Sequence, residues 1–255
     1  SFSKNSYLVD EIKRFFPNVK VNEQGTLFTK KELIKFIGDA DCMIVGLDKI
    51  DDEVLNNCLN LKMISKYGVG LDNVDLNSCR KRNIKIGWTG GVNKLSVAEM
   101  TLGFMMMLSR NLFSTSQELK NGTWNKSGGM QLSEKTIGIV GLGYIGKEVV
   151  RLLKPFNCKI LANDVINQEE YCKNNNIDEV SKDYLFKQSD VVTIHTPHND
   201  STNDMIDLKV LKSMKSSAFI LNTARGGIIN EAALKYALQN SLISGAAIDA
   251  YVEEP

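Results

Sequence analysis

The sequence predicts an α/β protein built on parallel sheets. Two observations carry this: short apolar runs alternate with amphipathic helical stretches from end to end, and one run leads directly into a Gly-x-Gly-x-x-Gly turn. The length, 255 residues, suits one large domain or two medium ones. Hydrophobic residues at 43% and charged residues at 24% are ordinary for a globular chain.

In the first part, Asp41–Gly46, Lys62–Lys66 and Ile84–Ile86 read as strands, and Leu8–Phe16, Glu32–Ile37, Glu53–Leu59 and Leu76–Arg82 as helices. A loop from Gly87 to Asn93 leads into a Met-rich helix from about Ser96 to Arg110. Ser96 and Glu99 have capping-box spacing at its start. Met100, Met105, Met106 and Met107 read as core filling, which flexible thioethers do well, in preference to a binding surface. After a polar stretch, Asn121–Ser133, the strand rhythm strengthens: Ile137–Val140, Lys159–Asp164, Val191–His195, Ala218–Asn222 and Ala246–Asp249, with a helix fitting between each pair.

The glycine turn, Gly141-Leu-Gly-Tyr-Ile-Gly146, gains weight from this context, because a strand runs into it and a helix leaves it. Gly141 permits the tight turn, Gly143 lets a pyrophosphate approach the backbone, and Gly146 lets helix and strand pack closely. The helix N-terminus offers unpaired N–H groups and a positive dipole end to phosphates. The next strand ends at Asp164, an acid at the spacing that accepts bonds from ribose hydroxyls and repels a 2′-phosphate. The expected cofactor is therefore NAD, on a doubly wound parallel sheet.

Leu221–Asn230 places Arg225 just after a strand, beside two glycines, at the carboxyl edge where such sheets bind ligands. Its planar fork can grip a carboxylate at two points and polarise a carbonyl.

Net charge of +1 implies neither a nucleic acid nor a membrane surface as partner. The longest apolar stretch, Phe104–Leu108, is far too short to span a bilayer. Five scattered cysteines without a Cys-x-x-Cys pair argue against a disulfide framework or a metal site, and for the cytosol.

Together, Tyr67-Gly-Val-Gly-Leu-Asp-Asn-Val74, Ser96-Val-Ala-Glu99, the glycine turn, His195-Thr-Pro197, Asn222-Thr-Ala-Arg-Gly-Gly227 and Asp249-Ala-Tyr-Val-Glu-Glu-Pro255 resemble the D-isomer-specific 2-hydroxyacid dehydrogenase family over nearly the whole chain. The resemblance implies a flavodoxin-like substrate domain over residues 1–92 and a Rossmann NAD domain over 93–255. It places the active site in the cleft between them, where hinge closure would exclude water. It implies Arg225 as the catalytic arginine and Glu254 as the carboxylate that orients the catalytic histidine. Val69 and Gly70 would offer N–H groups to the substrate carboxylate. Tyr144, Ile145, Asp164, His195, Thr196, Pro197, Thr202, Thr223, Ala224 and Asp249 would line the NAD site. A homodimer is implied, with the long helix and the polar arm after it in the interface.

The resemblance has gaps. The family's catalytic histidine follows the Glu-Pro motif, and this chain stops at Pro255. Neither His195 nor His198 matches it. The family also opens with a strand that this chain lacks, so an incomplete record of a longer protein is expected. Gly90 stands where proline is usual. Lys66 stands where some phosphate-handling members carry arginine, so it either meets a phosphorylated substrate or is an ordinary surface lysine at a strand end. The substrate stays open among 3-phosphoglycerate, glyoxylate/hydroxypyruvate and other 2-oxo or 2-hydroxy acids. Alternatives are an NAD(H)-sensing corepressor or scaffold, and a formate or phosphonate dehydrogenase.

Overall fold

A computed structural model describes residues 2–126 and 129–253, and divides into two compact units, Ser1–Asn93 and Lys94–Pro255. In the first unit, α1 (Ser6–Phe15) and α2 (Lys30–Ile37) precede β1 (Cys42–Val45), α3 (Asp52–Asn57), β2 (Met63–Lys66), α4 (Leu76–Lys81) and β3 (Lys85–Gly87). The strands run parallel in the order β1-β2-β3. Val45, Ile50, Val54, Leu55, Ile64 and Val74 form the centre of its core. Asn5, Asp51 and Asp75 cap α1, α3 and α4, each accepting the backbone N–H three residues on.

The second unit opens with α5 (Lys94–Ser109) and α6 (Leu112–Lys120). Then come β4 (Thr136–Val140), α7 (Tyr144–Leu153), β5 (Lys159–Asn163), α8 (Glu169–Asn175), β6 (Asp178–Glu179) and α9 (Lys182–Gln188). The unit continues with β7 (Val191–Ile194), α10 (Leu208–Ser213), β8 (Phe219–Asn222), α11 (Glu231–Gln239) and β9 (Gly245–Ile248). All six strands are parallel, in the order β6-β5-β4-β7-β8-β9. This is the doubly wound Rossmann arrangement, whose strand order reverses between β4 and β7 and opens a crevice at their carboxyl ends.

The central strands are apolar without alternation because both faces are covered. Val191, Phe219 and Leu221 pack on one side with α5 and α7. Val192, Ile194 and Ile220 pack on the other with residues of α9, α10 and α11. In α7, Gly146, Val149, Val150 and Leu153 recur at three- and four-residue spacing, so one stripe is buried. Asp190 fixes the opposite end of the sheet: one carboxylate oxygen accepts the Thr136 N–H at 2.9 Å, and the other takes the Lys215 ammonium at 2.8 Å.

Two expectations need correction. Ser96 and Glu99 do not form a capping box, because the turn at 91–93 enters α5 at Lys94 and Ser96 already lies inside the first helical turn. The reciprocal pair forms instead at α2, where Thr29 and Glu32 cap each other. The strand β6 is absent from the pattern of apolar runs; it is two polar, exposed residues at a sheet edge, with nothing hydrophobic to reveal it. Met105 is buried, and Met106 packs against the same core cluster. Cys58, Cys79 and Cys172 are buried, Cys158 is half-buried and Cys42 is exposed. Among the described residues, no helix is long and apolar enough to cross a membrane.

Candidate active site

The carboxyl ends of β4, β5 and β7 bring together Gly141, Asp164, His195 and Thr196. Gly141 has φ +97°, a conformation that strains any side chain, and a Cβ there would lie 2.8 Å from the His195 carbonyl. A Cβ on Gly146 would lie 2.0 Å from the Gly141 carbonyl, so α7 packs directly on the turn. Gly143 differs, since a Cβ there would meet nothing within 4 Å. The protein itself makes no demand for glycine at 143, and the open space is where a pyrophosphate would approach the backbone. Gly143 is also the N-cap of α7 and makes no side-chain capping bond, so the first-turn N–H groups face outward without a capping acceptor. This cradle fits the dinucleotide. Tyr144 is exposed beside it, while Ile145 is half-buried and packs on the core.

Asp164 does more than the sequence indicated. Its Oδ2 accepts the Leu142 N–H at 2.6 Å, and its Oδ1 accepts the Ile166 N–H at 2.9 Å. A carboxylate has about four lone-pair sites, so ribose hydroxyls can still be accommodated.

At the end of β7, His195 Nδ1 and Thr196 Oγ1 are buried with no hydrogen-bond partner. Such orphaned groups are rare in folded proteins, and a polar ligand reaching the crevice would relieve the cost. Burial pushes the His195 imidazole down to about 4, so the ring is neutral at physiological pH. Its Nε2 lies 3.0 Å from Thr193 Oγ1. Pro197 is exposed, and the Thr202 hydroxyl closes its own loop by donating to the Pro197 carbonyl at 2.7 Å and accepting the Asn199 N–H at 2.8 Å. His198 is exposed, with Nε2 3.0 Å from Asn203 Oδ1.

The end of β8 presents Arg225, half-buried, with Nη1 donating to the Ala224 carbonyl at 2.8 Å. Asn222, which sequence reasoning passed over, holds this turn. Its Nδ2 donates to the Arg225 carbonyl at 2.8 Å, its Oδ1 accepts the Ala224 N–H at 3.0 Å, and its carbonyl accepts the Asp249 N–H at 2.9 Å. An asparagine closing an otherwise apolar strand run was the available signal. Thr101 donates to the Val97 carbonyl at 2.8 Å, so the Thr223 hydroxyl donates to Thr101 at 3.0 Å and ties the β8 end to α5. Asp249 is exposed, and Glu254 lies outside the described residues.

In the first unit, β2 ends at Lys66 and the chain turns through Val69 and Gly70. Trp88 Nε1 donates to the Val69 carbonyl at 2.9 Å. Lys66 is not the surface lysine expected of a strand end. Its ammonium turns inward, donating to the Gly46 carbonyl and to Asn73 Oδ1 at 2.8 Å.

Residues 102–255 match the family described as "D-isomer specific 2-hydroxyacid dehydrogenase, NAD binding domain". The chain is 37% identical over 235 residues to the glyoxylate reductase of Thermofilum pendens, covering 89% of this chain and 69% of that protein. It is 35% identical over 237 residues to the D-3-phosphoglycerate dehydrogenase of Methanocaldococcus jannaschii, covering 91% of this chain and 45% of that protein. The chain thus spans less than half the length of this second relative. Among solved structures, D-lactate dehydrogenase from Aquifex aeolicus, complexed with NAD and lactic acid, superposes with a TM-score of 0.85 at 27% identity, covering 98% of this chain and 76% of that one.

Proposed function

Because the chain belongs to the D-isomer specific 2-hydroxyacid dehydrogenase family, we propose that it forms the core of an NAD-dependent oxidoreductase that interconverts a D-2-hydroxy acid and its 2-oxo acid. One observation carries the reading. Arg225 stands in a turn that Asn222 holds at two points, on the sheet edge that also bears the glycine turn.

NAD, when bound, supplies or takes up the hydride. In this reading Arg225 anchors the substrate carboxylate and stabilises the charge that develops on the carbonyl oxygen as the hydride adds. By the family resemblance, Val69 and Gly70 offer backbone N–H groups to a substrate carboxylate. Asp164 selects NAD over its 2′-phosphorylated form by accepting ribose hydroxyls. Proton exchange at the substrate hydroxyl belongs to an imidazole oriented by Glu254. It is neither His195, whose ring is buried and neutral, nor His198, whose Nε2 faces Asn203.

The same proposal includes a homodimer, with α5, α6 and the stretch after them in the interface; exposed Leu112, Phe113, Leu119 and Trp124 support it. Light scattering on the purified protein tests this part. A cytosolic location is supported by the free thiols.

The activity test measures NADH oxidation by the full-length protein with glyoxylate, hydroxypyruvate, pyruvate, 2-oxoisocaproate and phosphohydroxypyruvate. Turnover of at least one is expected. Tight NADH binding with turnover of none would overturn the reading.

A further inference from the structure

We propose that Glu231 is a positioning residue. With Gly226 it clamps the Tyr251–Val252 peptide onto the turn that carries Arg225, and so sets where the chain delivers the carboxylate of Glu254, two residues on. The proposal rests on the reading that the protein reduces 2-oxo acids, with Arg225 and Glu254 serving one substrate.

Arg225 follows β8, and the chain beyond the neighbouring strand β9 leads to Glu254. β9 ends at Ile248, and the Asp249 N–H then meets the Asn222 carbonyl at 2.9 Å. A second attachment of a different kind follows at Tyr251. A Cβ on Gly226 would lie 2.1 Å from the Tyr251 carbonyl oxygen, 2.2 Å from its carbon and 2.6 Å from the Val252 nitrogen. All three atoms belong to one peptide unit, so that unit lies directly against Gly226, one residue after Arg225. Its N–H, that of Val252, donates to Glu231 Oε1 at 2.8 Å. The segment after β9 is thus registered on the Arg225 turn twice, by Asn222 at Asp249 and by Gly226 with Glu231 at Tyr251–Val252.

Simpler roles leave this arrangement unexplained. Glu231 is the first residue of α11, where an acid also favours the helix dipole. That effect needs no reach to Val252, and the helix start already has its cap, because Asn230 Oδ1 accepts the Ala233 N–H at 2.8 Å. Backbone conformation does not call for glycine at 226 either, since its φ is not positive; Gly227, at φ +80°, is the residue that turns the chain. The missing side chain at 226 instead makes room for the Tyr251–Val252 peptide. The Glu231 bond stands at the surface, where one hydrogen bond adds little to stability. Its effect is geometric, and a displacement of about 1 Å in a reacting group can cost much of the rate.

The test uses the full-length protein with NADH and the 2-oxo acid it turns over best. Glu231→Ala is expected to lower kcat by about tenfold, with KM held within about threefold. NADH affinity and Tm should stay close to wild type. Glu231→Gln keeps an acceptor oxygen at the same reach and should restore kcat to within about twofold of wild type. Glu231→Asp keeps the charge at the helix start but falls a methylene short of Val252, and should behave like the alanine variant. In a Glu254→Gln background, Glu231→Ala should add no further loss, because it acts through that carboxylate. A silent Glu231→Ala would overturn the proposal, as would a glutamine variant as slow as the alanine one. So would a silent Glu254→Gln, or a further loss of the same size in the double variant. If Glu231→Ala fails to fold, the glutamine and aspartate variants decide between reach and charge. Turnover of no 2-oxo acid by the wild type, with NADH still bound, would bring down the underlying reading instead, a result distinct from any of these.

Discussion

Asp164 reaches back across the sheet edge to accept the N–H of Leu142 at 2.6 Å, so the acid at the end of β5 holds the glycine turn that follows β4. Leu142 is almost fully buried, and its N–H would have no partner without that carboxylate.

Removing the carboxylate therefore has two expected effects. Asp164→Ala should lower stability by about 1–3 kcal/mol through the orphaned N–H, seen as a fall in Tm. It should also narrow the preference for NADH over NADPH, measured as the ratio of the two Kd values. An unchanged ratio would sink the cofactor-selecting role while leaving the structural one.

The glycines at 143 and 146 should respond in opposite ways. Gly146→Ala forces a Cβ onto the Gly141 carbonyl, so the turn must open, and both Tm and NADH binding should fall. Gly143→Ala meets no protein atom and should melt close to wild type, yet bind NADH more weakly because the Cβ occupies the space of the pyrophosphate. Thermal melts alongside NADH fluorescence titrations separate the two. Wild-type NADH affinity in Gly143→Ala would count against a pyrophosphate there.

Arg225→Ala should reduce kcat/KM by about 100- to 1000-fold, the range for loss of one group that stabilises a developing oxyanion, with NADH affinity little changed. Asn222→Ala should weaken activity by the same route, since it frees the turn that carries Arg225, and should also lower Tm. Steady-state kinetics on both variants test this, and near-normal turnover in Arg225→Ala would refute its role.

His195 should make stability depend on pH in a defined window. Its folded-state value is about 4 against 6.5 for an ordinary imidazole, so between these values the unfolded chain binds the extra proton. Stability is then greatest above pH 6.5 and falls as pH drops toward 4, by up to about 3 kcal/mol. Urea unfolding midpoints at successive pH values should show this slope in wild type and a flatter one in His195→Gln. Equal slopes would show that the ring is not held neutral by burial.

Much of this molecule is legible in the order of its residues. The strands β4, β5, β7 and β8 stand out as continuous apolar runs, because a parallel sheet covered on both faces needs nothing else. The glycine turn is legible too, since positive φ at Gly141 and the contact at Gly146 admit only one residue type. Arg225 stands out by its place after a strand. Less visible are features whose cause lies far away in the chain. Ser96 carries a capping pattern, but the preceding turn has already started the helix. β6 is polar and pairs with β5 only through its backbone.

By itself, then, the sequence determined the sheet class, the cofactor turn and the residue types at the strand ends, because these follow from local backbone geometry and hydrophobic periodicity. Only the tertiary structure decided which way the side chains at those ends face. It turned Lys66 inward to Gly46 and Asn73, buried His195 beside Thr193, and set Asn222 behind Arg225. In the first of these, the partners lie 20 and 7 residues from Lys66 along the chain. Spacing along a strand or helix carries no record of such pairings; they arise when folding removes water and every buried donor and acceptor must find a partner.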